Sequence, residues 1–171
     1  VVDSVHLNGG KIGNQLAHAG RKGSTHAEWT GSGSVAISEG GWETVAPSAI
    51  AFEGYDLPRA LEVGELAEIK DQFVSAALRA VTAGFDLIEI HAAHGYLLHQ
   101  FLSPLSNQRT DLYGGSLENR ARLLIEIVIA VRAAIGDDLP LAVRFSATDW
   151  IEGGWTQEET ATVAKWCLNA G

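Results

Sequence analysis

The chain has 171 residues, of which 46% are hydrophobic and 19% charged, with 12 Lys and Arg against 21 Asp and Glu for a formal net charge of −9. That balance describes one soluble globular domain, residues 1–171, and the acidic surplus without any basic cluster argues against nucleic acid as a partner. No apolar run approaches the ~20 residues of a membrane span and the start VVDSVHLNGG lacks a basic region followed by an apolar core, so the reading is a cytoplasmic protein with no membrane partner.

The first predicted element is a strand in KIGNQLAHAG, residues 11–20, leaving a Gly-Gly turn and ending in the polar residues Gln15, His18, Arg21 and Lys22. From Gly23 to Pro58 no helical or strand period persists. Trp29, Trp42 and the apolar APSAIAF in this stretch point to an excursion packed on the surface rather than a disordered linker, since disordered segments are poor in aromatics. From Glu65 the apolar residues Leu66, Ile69, Phe73, Ala76, Ala77 and Ala80 recur at three- and four-residue intervals, which predicts an amphipathic helix ended by Gly84 in a left-handed C-cap. ALEVGEL, before it, offers no serine-type cap.

FDLIEI, residues 85–90, reads as a short buried strand, and HAAHGY follows it directly. A second helix is capped by Ser116, carries Leu117, Ala121, Leu124, Val128, Val131 and Ile135 on one face, and stops at Gly136. LAVRFSA, residues 141–147, is the next buried strand, and the last helix begins at Thr156, whose hydroxyl caps it, with Glu158 and Glu159 in the first turn. Strand-helix repeated three times specifies parallel pairing with helices covering the sheet. A (β/α)8 barrel takes ~250 residues, so three such units are somewhat less than half of one. A doubly wound sheet is the other option, weakened by the absence of a GxGxxG or P-loop after any strand. With no methionine and a start inside an element, the chain reads as an internal fragment.

All three strands end in polar residues, which is where an α/β active site gathers its loops. Because the strand period is two, Glu89 and His91 share one face of FDLIEIH while Ile88 and Ile90 share the other. His94 and Tyr96 follow within five residues. Two imidazole N–H groups can donate to one oxygen and a phenol beside them can supply a proton, a combination suited to polarising a carbonyl. Singly, each of the three is more often a packed structural residue. The H-x-x-H spacing also admits zinc, but the nearest third ligand, His99, lacks the surrounding H-E-x-x-H motif, and no metal is assigned. Gln15 offers the donor and acceptor that complement a heterocycle edge. Arg144, inside an apolar strand, must meet an anion: a ligand, or Glu89 across the sheet. Arg109, Asp111, Asn119 and Arg120 around the Gly-Gly turn of PLSNQRTDLYGGSLENR read as loop architecture. Cys167, the single cysteine, reads as a small buried apolar residue.

Taken together, QLAHAGRK (15–22), EIHAAHGYLLHQFLSPLSNQRTDLYGGSLENR (89–120) and VRFSATDWIEGGW (143–155) resemble the old yellow enzyme family, in particular its thermophilic-like bacterial branch, over nearly the whole chain from about Gly10. The resemblance implies a partial (β/α)8 TIM barrel covering strands 3–5 with a long loop after the first. It implies FMN reduced by NAD(P)H, and hydride passed to the double bond of an activated alkene. It assigns His91 and His94 to the substrate's carbonyl or nitro oxygen, Tyr96 to proton delivery, Gln15 and Arg144 to FMN, and Lys22 to the substrate entrance; a homo-oligomer is implied for the full-length protein. Asn14 departs from the pattern, standing where the family usually has an aliphatic residue, and the first barrel strand and the FMN phosphate loops lie outside the span. Three other readings stand beside it: a larger flavin and iron–sulfur relative of the dienoyl-CoA reductase type, a binding module without catalysis, and a zinc hydrolase.

Overall fold

The computed structural model describes all residues, 1–171. A short helix α1 (Val2–Leu7) precedes strand β1 (Gly13–Leu16), and two single-turn 3-10 segments, Gly20–Lys22 and Ile37–Glu39, lie in the long excursion that follows. Strands β2 (Val45–Ala46) and β3 (Arg59–Ala60) then lead into helix α2 (Val63–Thr82), strand β4 (Leu87–Ala92), the one-and-a-half-turn helix α3 (Leu97–Leu102), helix α4 (Leu117–Ile135), strand β5 (Leu141–Phe145) and helix α5 (Gln157–Ala170).

The main sheet is parallel in the order β1-β4-β5, so strands adjacent in the strand-helix succession are adjacent in space. Gln15 pairs with Glu89 and Leu16 with Ile90, while His91 pairs with Arg144. This is the predicted set of three βα units with a long loop after the first. The alternation of side chains divides the sheet into two unlike faces. Ile88, Ile90 and Ala92 are fully buried beneath α2 and α4, packed with Phe73, Ala77, Leu124, Ile127 and Val131 in one continuous core. Full burial of each Leu or Ile stabilises by about 1.5–3 kcal/mol, so this layer holds the sheet together. The opposite face carries Gln15, Glu89, His91 and Arg144.

The predicted helix signals are met where they were read. Ser116 Oγ accepts from Asn119 N–H, and Thr156 Oγ1 accepts from Glu159 N–H while Glu159 reaches back to Thr156 N–H at 3.0 Å, a capping box. Gly84 has φ +87°, the left-handed conformation expected after α2. Cys167 is buried, and burial pushes its thiol up to about 12, as befits an inert core residue.

Helix α2 begins, as read, without a serine-type cap; Glu65 turns back to accept the Glu62 N–H at 2.7 Å and is itself gripped by both terminal nitrogens of Arg59, each at 2.8 Å. Two expectations need correction. The excursion is ordered, but not by burying its tryptophans, since Trp29 and Trp42 are 88% and 62% exposed. Hydrogen bonds of its backbone amides hold it instead: Val35 N–H to Ser24 O at 2.6 Å, His26 N–H to Gly33 O at 3.1 Å, and Trp42 N–H to the Ser24 side-chain Oγ at 2.9 Å. Within residues 1–171 Arg144 is exposed rather than buried, and no side chain of the chain pairs with it.

Candidate active site

Strand β4 ends at Ala92, and the chain turns sharply so that Tyr96 can open α3. His94 has φ +59° and Gly95 φ +72°, two left-handed residues in succession. Glycine adopts this freely; histidine does so only where its surroundings compensate. Ser146 Oγ accepts the His94 N–H at 2.9 Å, Lys22 Nζ donates to the His94 carbonyl at 2.9 Å, and Gln100 Nε2 donates to the Gly95 carbonyl at 2.7 Å. Strand β5, the Gly20–Lys22 turn and α3 thus hold the turn from three sides.

The turn folds His94 and Tyr96 back onto His91. The His91 and His94 rings meet edge to face with centroids 5.0 Å apart, and the Tyr96 ring stands at 5.1 Å from His91 and nearly perpendicular to it. His91 is 4% exposed and its Nδ1 accepts the Ala93 N–H at 3.2 Å, which assigns the ring proton to Nε2. Burial, followed by the neighbouring His94 and Arg144, lowers its pKa below the ordinary histidine value, so it is a neutral donor at pH 7. His94 is exposed and Tyr96 half-buried.

Lys22 joins this cluster from the end of the Gly20–Lys22 turn. Its ammonium sits 4.1 Å from the Phe52 ring centroid and 6.0 Å from that of Tyr96, and burial together with Arg21 lowers its pKa. Phe52, Tyr55 and Tyr96 share with Lys22 a cleft of about 510 Å³ walled by the glycine-rich excursion.

Gln15 and Arg144 stand on the same face as His91, on the two strands flanking β4, with Arg144 in register with His91. Two strand spacings and a two-residue offset separate their backbones by roughly 12 Å, within the reach of two long side chains converging on one planar group about 10 Å long. Gln15 Nε2 donates to Glu89 Oε1 at 2.5 Å, which leaves Arg144, and not Glu89 with it, as the unpartnered charge of this face. A guanidinium without a counter-ion beside an amide whose carbonyl is free suits a ligand that bears negative charge near a heterocycle edge.

Some residues that shape the site were read only in other roles or not at all. Ser146 and Gln100 carried no sequence signal. His99, considered as a zinc ligand, turns Nδ1 to the Gly95 N–H at 2.8 Å and sets Nε2 3.0 Å from Asp149 Oδ1, so the ring is engaged within the fold. The rim-loop residues brace the structure as expected: Arg109 donates to Pro47 O at 3.0 Å, and Arg120, 6% exposed, donates to Leu102 O and Gly115 O and pairs with Glu159.

Comparison with known proteins places this geometry in context. The profile of the NADH:flavin oxidoreductase / NADH oxidase family matches residues 1–170. An NADH:flavin oxidoreductase of Gibberella zeae is 51% identical over 94% of the chain, and an NADPH dehydrogenase of Halalkalibacterium halodurans 46% identical over 99%; the chain spans 42% and 45% of their respective lengths. Among solved structures, the old yellow enzyme homologue from Zymomonas mobilis matches 99% of the chain with a TM-score of 0.80 at 35% identity, the chain covering 48% of it. A 2-naphthoyl-CoA reductase in complex with 2-naphthoyl-CoA matches 99% of the chain with a TM-score of 0.86 at 36% identity, the chain covering 26% of it. The curated relatives it matches are thus more than twice its length.

Proposed function

The chain belongs to the NADH:flavin oxidoreductase / NADH oxidase family and is an old yellow enzyme relative, and from that premise we propose that it forms part of a single barrel domain of an FMN-dependent oxidoreductase that draws electrons from NAD(P)H and reduces the C=C bond of an α,β-unsaturated carbonyl or nitro compound. The observation that carries the reading is the convergence of His91, His94 and Tyr96 within ring contact, on a sheet whose open face also bears Gln15 and an unpaired Arg144.

Bound FMN, once reduced by NAD(P)H, would supply the hydride. Gln15 and Arg144 are the residues of this chain that would hold it, the amide against the pyrimidine edge and the guanidinium beside the N1 and C2 carbonyl region, where negative charge accumulates on reduction. The chain's own groups account for the rest. His91, with its proton on Nε2, and His94 donate to the substrate's carbonyl or nitro oxygen. Their donation strengthens as enolate-like charge grows on that oxygen, which is stabilisation specific to the transition state. A neutral His91 polarises without carrying a fixed charge of its own. Tyr96 gives its phenolic proton to the α-carbon. Lys22 holds the His94 carbonyl and narrows the cleft through which the substrate enters.

A second reading is favoured by one observation, the TM-score of 0.86 with the 2-naphthoyl-CoA reductase, a chain almost four times as long: the parent is a larger flavin enzyme with an iron–sulfur cluster. The two share the test. Full-length protein purified aerobically will show the absorbance bands of oxidised flavin, lose them anaerobically on adding NADPH or NADH, and regain them on adding 2-cyclohexenone. Iron released on denaturation selects the second reading; protein that purifies colourless and releases no flavin rejects both.

A further inference from the structure

The turn His94–Gly95 stacks two left-handed residues, one of them a histidine, between the groups proposed to do the chemistry. A conformation of this kind persists only where its surroundings over-determine it. Of the side chains that hold it, His99 is the one backed by a carboxylate. Its Nδ1 accepts the Gly95 N–H at 2.8 Å, and its Nε2 stands 3.0 Å from Asp149 Oδ1, within ion-pair distance though off the line of an ideal hydrogen bond. Asp149 lies on the loop after β5, 55 and 54 residues along the chain from His94 and Gly95 of the turn it supports. Its other oxygen, Oδ2, accepts Ser103 Oγ–H at 2.6 Å and Trp155 N–H at 2.8 Å. Burial pushes the Asp149 carboxyl up, but the bonds from His99, Ser103 and the Trp155 amide outweigh it and hold it at about 2. His99 is 6% exposed, and the indole of Trp155, 1% exposed and donating to Ser146 O at 3.0 Å, walls the same region.

The chemistry of imidazole makes this chain directional. Nδ1 can accept the Gly95 N–H only while it carries no proton, and a neutral ring then bears its proton on Nε2, facing the carboxylate. An anion opposite Nε2 selects that tautomer. We propose that His99 and Asp149 are positioning residues for the reaction: the carboxylate fixes the imidazole tautomer, the imidazole fixes the Gly95 amide, and the amide sets His94 and Tyr96 at their working separation. This rests on the proposed ene-reduction for its functional consequence, but the structural link stands independently of it.

The test uses the full-length flavin-loaded enzyme with His99→Leu, His99→Asn and Asp149→Asn. Leucine removes the acceptor at similar size; asparagine returns an acceptor where Nδ1 stood but does not reach Asp149. Amide hydrogen exchange resolved at Gly95 reads the link directly, and the expected order of exchange is His99→Leu fastest, about tenfold above wild type, with Asp149→Asn and His99→Asn between the two. Anaerobic stopped-flow reoxidation by 2-cyclohexenone should slow about tenfold in His99→Leu and recover partly in His99→Asn. Reoxidation by O2, which needs neither His94 nor Tyr96, should stay within about twofold of wild type, as should the flavin content. Gly95 exchange unchanged in His99→Leu overturns the proposal, and so does an equal slowing with both oxidants, which marks a general folding defect. If the wild-type enzyme itself is not reoxidised by the enone, the ene-reductase reading fails, and the exchange data still decide the role of His99 in the turn.

Discussion

The two faces of strand β4 are built from alternate residues of one six-residue segment, and they could hardly differ more. On one side Ile88, Ile90 and Ala92 are wholly sealed beneath α2 and α4. On the other, Glu89 and His91 stand with Gln15 and Arg144, all of them polar. The contrast shows how a parallel strand separates two jobs: the helix-covered face supplies stability through apolar burial, and the opposite face carries the polar groups, among them a neutral buried histidine. Stability and chemistry are then separable by substitution at adjacent positions.

The largest effect that would sharpen the contrast is a crossed one. His91→Asn with His94→Asn should lower kcat/KM for an enone by about 10²–10³-fold while moving the unfolding free energy by no more than about 1 kcal/mol. Ile90→Ala, one position from His91, should do the reverse, costing about 2–5 kcal/mol in denaturant unfolding with the activity of the remaining folded enzyme little changed. If the histidine pair unfolds the protein, or Ile90→Ala silences folded enzyme, the separation of faces fails.

A smaller effect follows from pH. Burial lowers the pKa of His91, and likewise that of His18 at the end of β1, below the ordinary 6.5. The folded state therefore binds fewer protons at these groups than the unfolded state does, so their contribution is fully present above about pH 6.5 and is lost as pH falls through the lower folded values. Thermal melts should show a decline below pH 6.5, reduced in His91→Asn. Asp149, held at about 2, contributes nothing to this window, since its own contribution is lost only between about pH 4 and pH 2.

The helix-covered face was also the legible one. The three- and four-residue spacing of Leu66, Ile69, Phe73 and Ala77, and the caps at Ser116 and Thr156, placed α2, α4 and α5 from sequence because such signals are local and periodic. Alternation in FDLIEIH correctly put Glu89 and His91 opposite Ile88 and Ile90. Helix α3 was not legible, since all six residues of LLHQFL are buried and a segment apolar on every side has no amphipathic period. Within the site, HAAHGY announced His91, His94 and Tyr96 by their crowding at a strand end. Ser146 and Asp149 reach that turn across about fifty residues of chain, a contact only the folded parallel sheet creates. The excursion defied reading because hydrogen bonds of its backbone amides to Ser24, rather than side-chain burial, order it.

The central claim is that the cluster on the open face directs a proton from Tyr96 to one carbon of the alkene and leaves the other to receive hydride. Reduction of 2-cyclohexenone by the full-length enzyme in D2O, with NADPH as reductant and a brief incubation read by mass spectrometry and NMR, tests it most directly. The account predicts deuterium on the α-carbon and a marked loss of rate in Tyr96→Phe. Product without deuterium on the α-carbon, or reduction in Tyr96→Phe as fast as in the wild type, would contradict it.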